Sequence, residues 1–336
     1  MRKALITGVT GQDGSYLAEL LLGMHYEVHG LVRRSSLVQR PRLDHLTIDR
    51  DVYDHQFFLH YCDLDDTTTL RRIIMSVNPD ELYHLAGQSH VGLSFEVPES
   101  TCNFTAMGTL KILEILRDLP DPPRLLNVGS SELFGNPLQS PQNELTPFRP
   151  ITPYGVAKSF AVDMVRVYRE SFGLFCCNAI CYNHESPRRG DSFVTRKISK
   201  AVARAALGHE GRLTLGNLSA TRDWGYAPEY VEGMWRLLQQ DSPVDIVLAT
   251  GLSTSVEGFL EHAYSHVGLD WRDHVDIDAK FIRPADGQAL VGNPEIADRL
   301  LGWSARVTAP DLAGIMVDAD IALERGKLVS SAGATL

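Results

Sequence analysis

The sequence predicts an α/β fold, a doubly wound parallel sheet followed by a smaller C-terminal lobe, on three observations. Strand-like apolar runs alternate with helical ones through about residue 180, the order that builds a parallel sheet covered by helices on both faces. A glycine-spaced turn, Gly8-Val9-Thr10-Gly11-Gln12-Asp13-Gly14, separates the first strand from the first helix. After residue 180 the alternation breaks into loops and short elements.

Lys3-Ala4-Leu5-Ile6-Thr7 reads as a short buried strand, and an apolar helix follows the turn through Tyr16, Leu17, Leu20 and Leu21. Glycines let a backbone turn tightly and approach phosphates, while a helix N-terminus offers unpaired N–H groups and a favourable dipole. The spacing is G-x-x-G-x-x-G, and its place between strand and helix points to a pyrophosphate held by Gly8, Thr10, Gly11, Gln12 and Asp13. A purely structural turn is the plain alternative. The sheet is thus of the Rossmann type. The second strand, residues 28–32, ends in Arg33-Arg34-Ser35-Ser36. An NAD site usually carries an acidic residue near this point, whereas arginines suit a 2′-phosphate, so NADP is the expected cofactor. A solvated basic loop is the alternative reading. Asp63-Leu64 ends an apolar stretch that can hold an adenine ring. Residues 82–87 form a strand running through Leu85 and Ala86 into Gly87, beside the phosphates. Further strands are expected at 125–128 and 176–180, with helices at 193–207 and 228–240. Ligands in such sheets lie at the carboxyl ends of the strands, where the glycine turn, Asp63, Gly87 and Ser130 all fall. The expected division is residues 1–180 for the cofactor-binding part with the catalytic residues, 181–328 for the second lobe, and 329–336 as a tail. The two parts interleave.

Tyr154, followed four residues later by Lys158, makes a redox pair. A tyrosine hydroxyl titrates near ~10, and a neighbouring ammonium favours the phenolate. If Tyr154 opens a helix, the i to i+4 spacing sets Lys158 one turn along the same face. Oxidation of an alcohol needs this pair and a hydroxyl donor such as Ser130. Glu132, in Gly129-Ser130-Ser131-Glu132, is then surplus unless a second proton must be removed.

The chain has 336 residues, 44% hydrophobic and 22% charged, the balance of an ordinary globular enzyme, and a net charge of −10 argues against general nucleic-acid binding. Met1-Arg2-Lys3 runs straight into the first strand with no signal peptide visible, and no apolar run approaches the ~20 residues that span a membrane. Five cysteines, at 62, 102, 176, 177 and 181, fit a reducing cytoplasm better than a disulfide framework. His262 and His266 have the spacing of a zinc pair, but Ala263-Tyr264-Ser265 between them lacks the glutamate of a hydrolase motif, so no metal is expected. Cys176 and Cys177 read as core packing in at least one case, and His84 and His90 as polar residues beside the cofactor loop.

The segments GVTGQDGSYLAELLL, LVRRSS, GQSHVGLSF, GSSELFG, TPYGVAKSFA, YRESFGLF, NHESPRRGDSFVTRKI, LGNLSATRDWGYAPEYVEGMW, RPA and LGW resemble the extended short-chain dehydrogenases/reductases, and within them the GDP-mannose 4,6-dehydratase family, over nearly the whole chain. NHESPRRG followed by FVTRKI separates this group from epimerases and reductases of the same fold. The resemblance implies further cofactor contacts at Gln88, Ser89, His184 and Arg189, besides Tyr154 and Lys158, and GDP-sugar contacts at Ser131, Asn183, Lys197, Asn217, Arg222, Arg283 and Asp286. Arg222 and Arg283 are planar forks suited to phosphate oxygens, and Lys197 is a point charge. In plainer terms, Asn183 caps a turn and Arg188, Arg189 and Arg196 form salt bridges.

The implied reaction is internal. Tyr154 takes the proton of the sugar 4-hydroxyl as hydride passes to NADP, with Ser130 steadying the oxygen; the ketone acidifies carbon 5, Glu132 removes that proton and serves the departing hydroxyl, and hydride returns to carbon 6. Three departures from the family pattern stand out: Ser130 replaces a threonine, Ser100 replaces a tyrosine that contacts the cofactor in relatives, and Asp286-Gly287-Gln288 follows Arg283-Pro284-Ala285 where a glutamate is usual. A dehydratase of another GDP-sugar such as a GDP-heptose, a nucleotide-sugar reductase or epimerase, and a non-catalytic NADP-sensing protein are the alternatives. Relatives associate as dimers or tetramers, with the Arg33-Arg34-Ser35-Ser36 loop near an interface.

Overall fold

The computed structural model describes residues 1–34, 40–278, 280 and 289–333. Its strands are β1 (Lys3–Thr7), β2 (Glu27–Val32), β3 (Phe57–Tyr61), β4 (Glu81–His84), β5 (Arg124–Ser130), β6 (Cys176–Cys181), β7 (Asn183–Glu185), β8 (Leu213–Leu215), β9 (Thr221–Arg222), β10 (Trp224–Tyr226), β11 (Asp245–Leu248), β12 (Thr254–Ser255) and β13 (Val275–Ile277). The helices are α1 (Gln12–Gly23), α2 (Asp44–Ile48), α3 (Thr67–Val77), α4 (Leu93–Glu96), α5 (Pro98–Cys102), α6 (Gly108–Arg117), α7 (Pro153–Phe172), α8 (Val194–Ala206), α9 (Ala227–Leu238), α10 (Val256–Ser265), α11 (Glu295–Leu301) and α12 (Ala309–Gly333). A π-helical turn at Asn103–Met107 joins α5 to α6.

Seven strands form one parallel sheet in the order β3-β2-β1-β4-β5-β6-β11. Strand order reverses between β1 and β4, which makes their carboxyl ends the mouth of a ligand crevice. The strands are apolar on both faces because both faces are covered. Ala4 and Ile6 of β1 enter a core with Leu17 and Leu21 of α1 and Met234 and Leu237 of α9. Leu5 enters the opposite core with Ile74 of α3, Ile112 of α6 and Val165 of α7. Burying each such side chain is worth roughly 1.5–3 kcal/mol, so a charge at Leu21 or Ile112 would separate its helix from the sheet. Cys176 and Cys177 follow the same alternation, one in each core, and neither is in a disulfide.

The last strand of the sheet, β11, comes from well past residue 181. Asp245 opens it, buried, and accepts from Arg166 Nε (2.7 Å), Arg169 Nη1 (2.8 Å) and Asn178 Nδ2 (2.9 Å). Burial opposes the charge on Asp245, but Arg169 and Arg166 outweigh it and hold the carboxyl below its usual range. Helix α7 is thereby fastened to the sheet edge at its C-terminal half.

The rest of the C-terminal part forms its own core, with Ile198 and Val202 of α8, Phe259 and Leu260 of α10, and Leu312 and Met316 of α12. Arg196, Ser199 and Asp320 join α8 to α12 in a buried network, with Ser199 Oγ 2.7 Å from the Asp320 carboxylate and Arg196 paired to the same oxygen. The helices expected from the sequence at 193–207 and 228–240 are α8 and α9. Among the described residues, no helix is long and apolar enough to cross a membrane.

Candidate active site

The glycine spacing has a steric cause. Gly8 has φ +73°, and a β-carbon there would stand 2.8 Å from the Ala86 nitrogen, so β1 and β4 meet backbone to backbone at their ends. A β-carbon on Gly14 would lie 2.3 Å from the Gly8 carbonyl oxygen, so the first turn of α1 packs directly on the loop. Gly11 donates its N–H to Gly8 O (2.9 Å) and caps α1 with no side-chain hydrogen bond. The first N–H groups of α1 therefore point into a cradle shaped for a diphosphate. Beside it, Thr7 Oγ1 binds His84 Nδ1 (2.8 Å) and accepts from Ala86 N (3.1 Å), and burial drives His84 down to about 3, so its ring is neutral. Gly87 faces Thr105 Oγ1 and Lys158 Nζ, the first a buried hydroxyl with no partner among the described residues. Gln88 folds onto His90, donating to its carbonyl (2.9 Å) and accepting from its N–H, just ahead of Ser89's position in the loop.

Around the rim, Leu64 is buried and Asp63 caps the following turn through Asp65 N (3.2 Å). Arg33 and Arg34 are exposed immediately after β2, and the Arg33 guanidinium lies 5.9 Å from the Phe104 ring centre. Ser35, Ser36, Arg283 and Asp286 lie outside the described residues. These groups suit an NADP molecule: glycines for the diphosphate, cations at the end of β2, and an unsatisfied hydroxyl near Lys158.

Ser130 ends β5 and Glu132 follows in a single 3-10 turn whose first N–H groups it shares, Glu132 N donating to Ser130 Oγ (3.3 Å). Helix α7 begins where the sequence dictates. Thr152 Oγ1 accepts from Gly155 N (2.9 Å), Pro153 occupies the first helical position, and Tyr154 comes next, with Lys158 one turn on. Tyr154 and Lys158 are both buried, with Lys158 Nζ 5.9 Å from the centre of the Tyr154 ring and donating to Val128 O (2.6 Å).

The expected depression of Tyr154 is not what this arrangement produces. Burial pushes its phenol up to about 12, and the Glu132 carboxylate adds to the rise; the Ser130 hydroxyl, hydrogen-bonded to the phenol, and Arg189 pull the other way. The Lys158 ammonium is spent on Val128 O, and burial brings it down to about 8 against the pull of Cys181 and Asp13. Ser130 and Glu132 thus both bear on the ionisation of Tyr154, in opposite directions.

His184 and Arg189 are also brought to this mouth. The His184 ring is stacked on Tyr230 at 4.6 Å and bonded at both nitrogens, to Tyr182 O (2.7 Å) and Asp13 Oδ2 (2.9 Å). Arg189 pairs with Glu185 Oε2 (3.0 Å) and lies 3.7 Å over the Phe193 ring. Arg188 reaches Glu19 (2.6 Å), so the salt-bridge reading of these arginines is met within the chain. Of the residues expected to contact the GDP-sugar, Asn183 opens β7, Arg222 lies on β9 with Nη1 donating to Thr221 O (2.7 Å), Asn217 accepts from Ser219, Ser131 is buried, and Lys197 is exposed on α8. His266 is bound to Asp318 (2.8 Å), and no group of metal-ligating side chains occurs among the described residues.

Sequence reasoning missed three residues that shape the site. A β-carbon on Gly155 would stand 2.5 Å from Glu132 O, so the start of α7 is packed onto the carboxylate's own backbone. Its signal was a glycine inside the first turn of a helix, a costly place unless something approaches closely. Asp223, fully buried beside Arg222, accepts from Thr250 N (2.9 Å), Thr250 Oγ1 (2.6 Å), Gly251 N (3.0 Å) and Gly292 N (3.2 Å). It ties the Arg222 strand to two loops distant in sequence, which no local pattern announces. The third, Thr105, sits in the π-helical turn and is equally silent in the sequence.

A family model described as GDP-mannose 4,6 dehydratase matches residues 5–316. GDP-mannose 4,6 dehydratase 2 of Arabidopsis thaliana is 48% identical over 336 residues, covering 98% of this chain and 90% of the relative. A GDP-mannose 4,6-dehydratase of Vibrio cholerae is 44% identical over 349 residues, covering 95% and 94%. Among solved structures, dTDP-glucose 4,6-dehydratase of Bacillus anthracis in complex with NAD superposes with a TM-score of 0.82 at 16% identity, covering 97% of this chain and 98% of that one, a likeness of fold.

Proposed function

The chain belongs to the GDP-mannose 4,6-dehydratase family, and from that membership and the cluster at the end of β5 we infer that it converts GDP-mannose to GDP-4-keto-6-deoxymannose and water with NADP as its cofactor. It is a hydro-lyase. The single observation that carries this reading beyond a simple dehydrogenase is Glu132, held next to Tyr154 by the Gly155 contact and electrostatically coupled to it.

NADP would lie with its diphosphate on Gly8, Thr10, Gly11, Gln12 and the N-terminus of α1, its 2′-phosphate toward Arg33 and Arg34, its adenine by Asp63 and Leu64, and its far end among Leu85, Gly87, Gln88, Ser89, Tyr154, Lys158, His184 and Arg189. When bound it supplies the hydride chemistry, taking a hydride from sugar carbon 4 and returning it to carbon 6. Only in its phenolate form, which the Ser130 hydrogen bond and Arg189 favour against burial, does Tyr154 take the proton of the 4-hydroxyl. Burial makes the phenolate a strong base once formed. Glu132 then removes the proton from carbon 5, acidified by the adjacent ketone, and passes it to the hydroxyl leaving carbon 6 as water; once hydride has reached carbon 6, carbon 5 takes back a proton, balanced by the one Tyr154 accepted, and the phenolate is restored. Arg222, with Asn183, Lys197 and Asn217, faces the nucleotide diphosphate and its sugars.

Exposed Leu93, Phe95, Met107, Val156 and Phe160 on the neighbouring elements α4, α7 and the π-helical turn support a homo-oligomer, and five unbonded cysteines support a cytoplasmic setting. The test of the function is to incubate the protein with GDP-mannose deuterated at carbon 4 and no added reductant. The expected product has lost one water and carries deuterium at carbon 6. Unchanged substrate, or deuterium released to free cofactor, overturns the assignment.

A further inference from the structure

Asp13 is an odd residue to find in a diphosphate cradle. It lies in the first turn of α1, where a carboxylate suits the helix dipole but repels an arriving diphosphate. His184 meets it. The ring is buried, and its Nδ1 lies 2.7 Å from the Tyr182 carbonyl, which only accepts, so Nδ1 carries a hydrogen. Its Nε2 is 2.9 Å from Asp13 Oδ2. A neutral ring would turn a lone pair toward that carboxylate, an arrangement of two acceptors with no proton between them.

We propose that His184 is a positioning residue held as an imidazolium, whose charge cancels that of Asp13 so that the glycine turn accepts a diphosphate, and whose hydrogen bonds lock that turn to the segment leading into the second lobe. The lock has further members. Gln12 Nε2 donates to His184 O (3.0 Å) and to Asp13 Oδ1 (2.9 Å), while Ser186 Oγ donates to Gln12 Oε1 (2.8 Å). The turn and residues 184–186 are thus joined by three side-chain contacts, and the proton on Nε2 is the one that titrates.

The charged and titratable groups facing the pair act in both directions, and the mutual attraction of the partners prevails. Burial works against charge on both partners, yet Asp13 is brought down to about 2 by His184, Gln12 and Arg189. The imidazole is raised above its ordinary value because Asp13 outweighs burial and Arg189. Lys158 of α7 and Cys181 of β6 both couple to Asp13, and Tyr230 of α9, behind the ring, is held neutral by burial. A histidine raised on folding contributes fully below its free value near ~6.5 and loses that contribution as pH rises through the folded value. Asp13 stays charged throughout. Alkaline pH therefore leaves the Asp13 carboxylate in the cradle without its hydrogen-bonded cation, with Arg189 and Lys158 the remaining positive groups that act on it.

The inference rests on the reading that NADP binds at the glycine turn. Its test is the affinity for NADP, by titration calorimetry from neutral to alkaline pH, of the parent, His184→Gln, Asp13→Asn and the double variant. The parent should weaken as pH rises. His184→Gln should bind roughly tenfold or more weakly at neutral pH, the scale on which one member of a buried charge pair is missed, and should lose the pH dependence. Asp13→Asn in the His184→Gln background should restore affinity, because no charge is left to cancel; a merely structural role for His184 predicts no such rescue. Nitrogen NMR should show both His184 ring nitrogens protonated at neutral pH. A parent that binds NADP with a flat profile, a His184→Gln variant with parental affinity and pH profile, or a double variant no better than His184→Gln overturns this inference alone. A parent that binds no NADP at any pH overturns the cofactor reading and the role of the pair with it.

Discussion

Replacing Gly155 with alanine should disable the site far more than it destabilises the fold. The new methyl would stand 2.5 Å from Glu132 O, 3.1 Å from Pro150 Cβ and 3.2 Å from Thr152 Oγ1. Carbon and oxygen normally approach to about 3.3–3.6 Å, so the first contact requires a displacement on the order of 1 Å. The obstructing atom is main chain and cannot rotate away. Either the 3-10 turn bearing Glu132 moves or the start of α7 bearing Tyr154 does, and both separate base from phenol. Forcing an extra methyl into packed structure costs about 1–3 kcal/mol, whereas misplacing reacting groups by 1 Å costs on the order of 10²-fold in rate. The control is Gly173→Ala, at the C-terminal end of the same helix. Gly173 has φ +69° and open space around its missing β-carbon, so alanine pays about 1–2 kcal/mol of left-handed strain with no displacement of the site. Thermal unfolding should fall by similar amounts in the two variants, about 2–4 °C per kcal/mol or somewhat less for a chain of this size. Turnover of GDP-mannose should fall only in Gly155→Ala, with bound NADP retained. Parental turnover in Gly155→Ala, or an equal loss in Gly173→Ala, would refute the reasoning.

Glu132→Gln should lower turnover roughly 10²–10⁴-fold and leave reduced cofactor visible by its absorbance, while Tyr154→Phe should block the earlier step and leave none; full activity in Glu132→Gln counts against a dehydratase. Replacing Arg33 and Arg34 together with alanine should weaken NADP binding much more than NAD binding, measured by calorimetry, and equal losses would remove them from the 2′-phosphate. Asp320→Ala strands the buried Arg196 guanidinium and should cost about 3–5 kcal/mol in denaturant unfolding, whereas Arg196→Met with Asp320→Leu should recover most of it; a double variant as unstable as the single one would show that the network does more than satisfy its own charges.

Much of the site was legible because it is local. The Gly8, Gly11 and Gly14 spacing follows from contacts within one strand, turn and helix, and Thr152-Pro153 marks the start of α7 by capping chemistry alone, which sets Tyr154 and Lys158 on one face. The titration of Tyr154 was not legible. Its direction depends on how deeply the phenol is buried and on which atom Lys158 reaches, and Lys158 reaches Val128 O. Asp223 and Thr105 were invisible for a related reason: what surrounds each, the Thr250, Gly251 and Gly292 groups on Asp223 and Gly87 beside Thr105, is chosen by packing between segments apart in the chain.

By itself the sequence determined that this protein is a parallel α/β enzyme of the GDP-mannose 4,6-dehydratase family, because strand and helix periods, turn glycines and short motifs are written in neighbouring residues. Only the tertiary structure decided that β11 completes the sheet and fastens α7 through Asp245, that Gly155 rests on Glu132, and that His184 faces Asp13 across 171 positions of sequence. Those contacts set the charges at the site, since a buried group's ionisation is fixed by what surrounds it in space, and the order of residues along the chain leaves that choice of neighbours open.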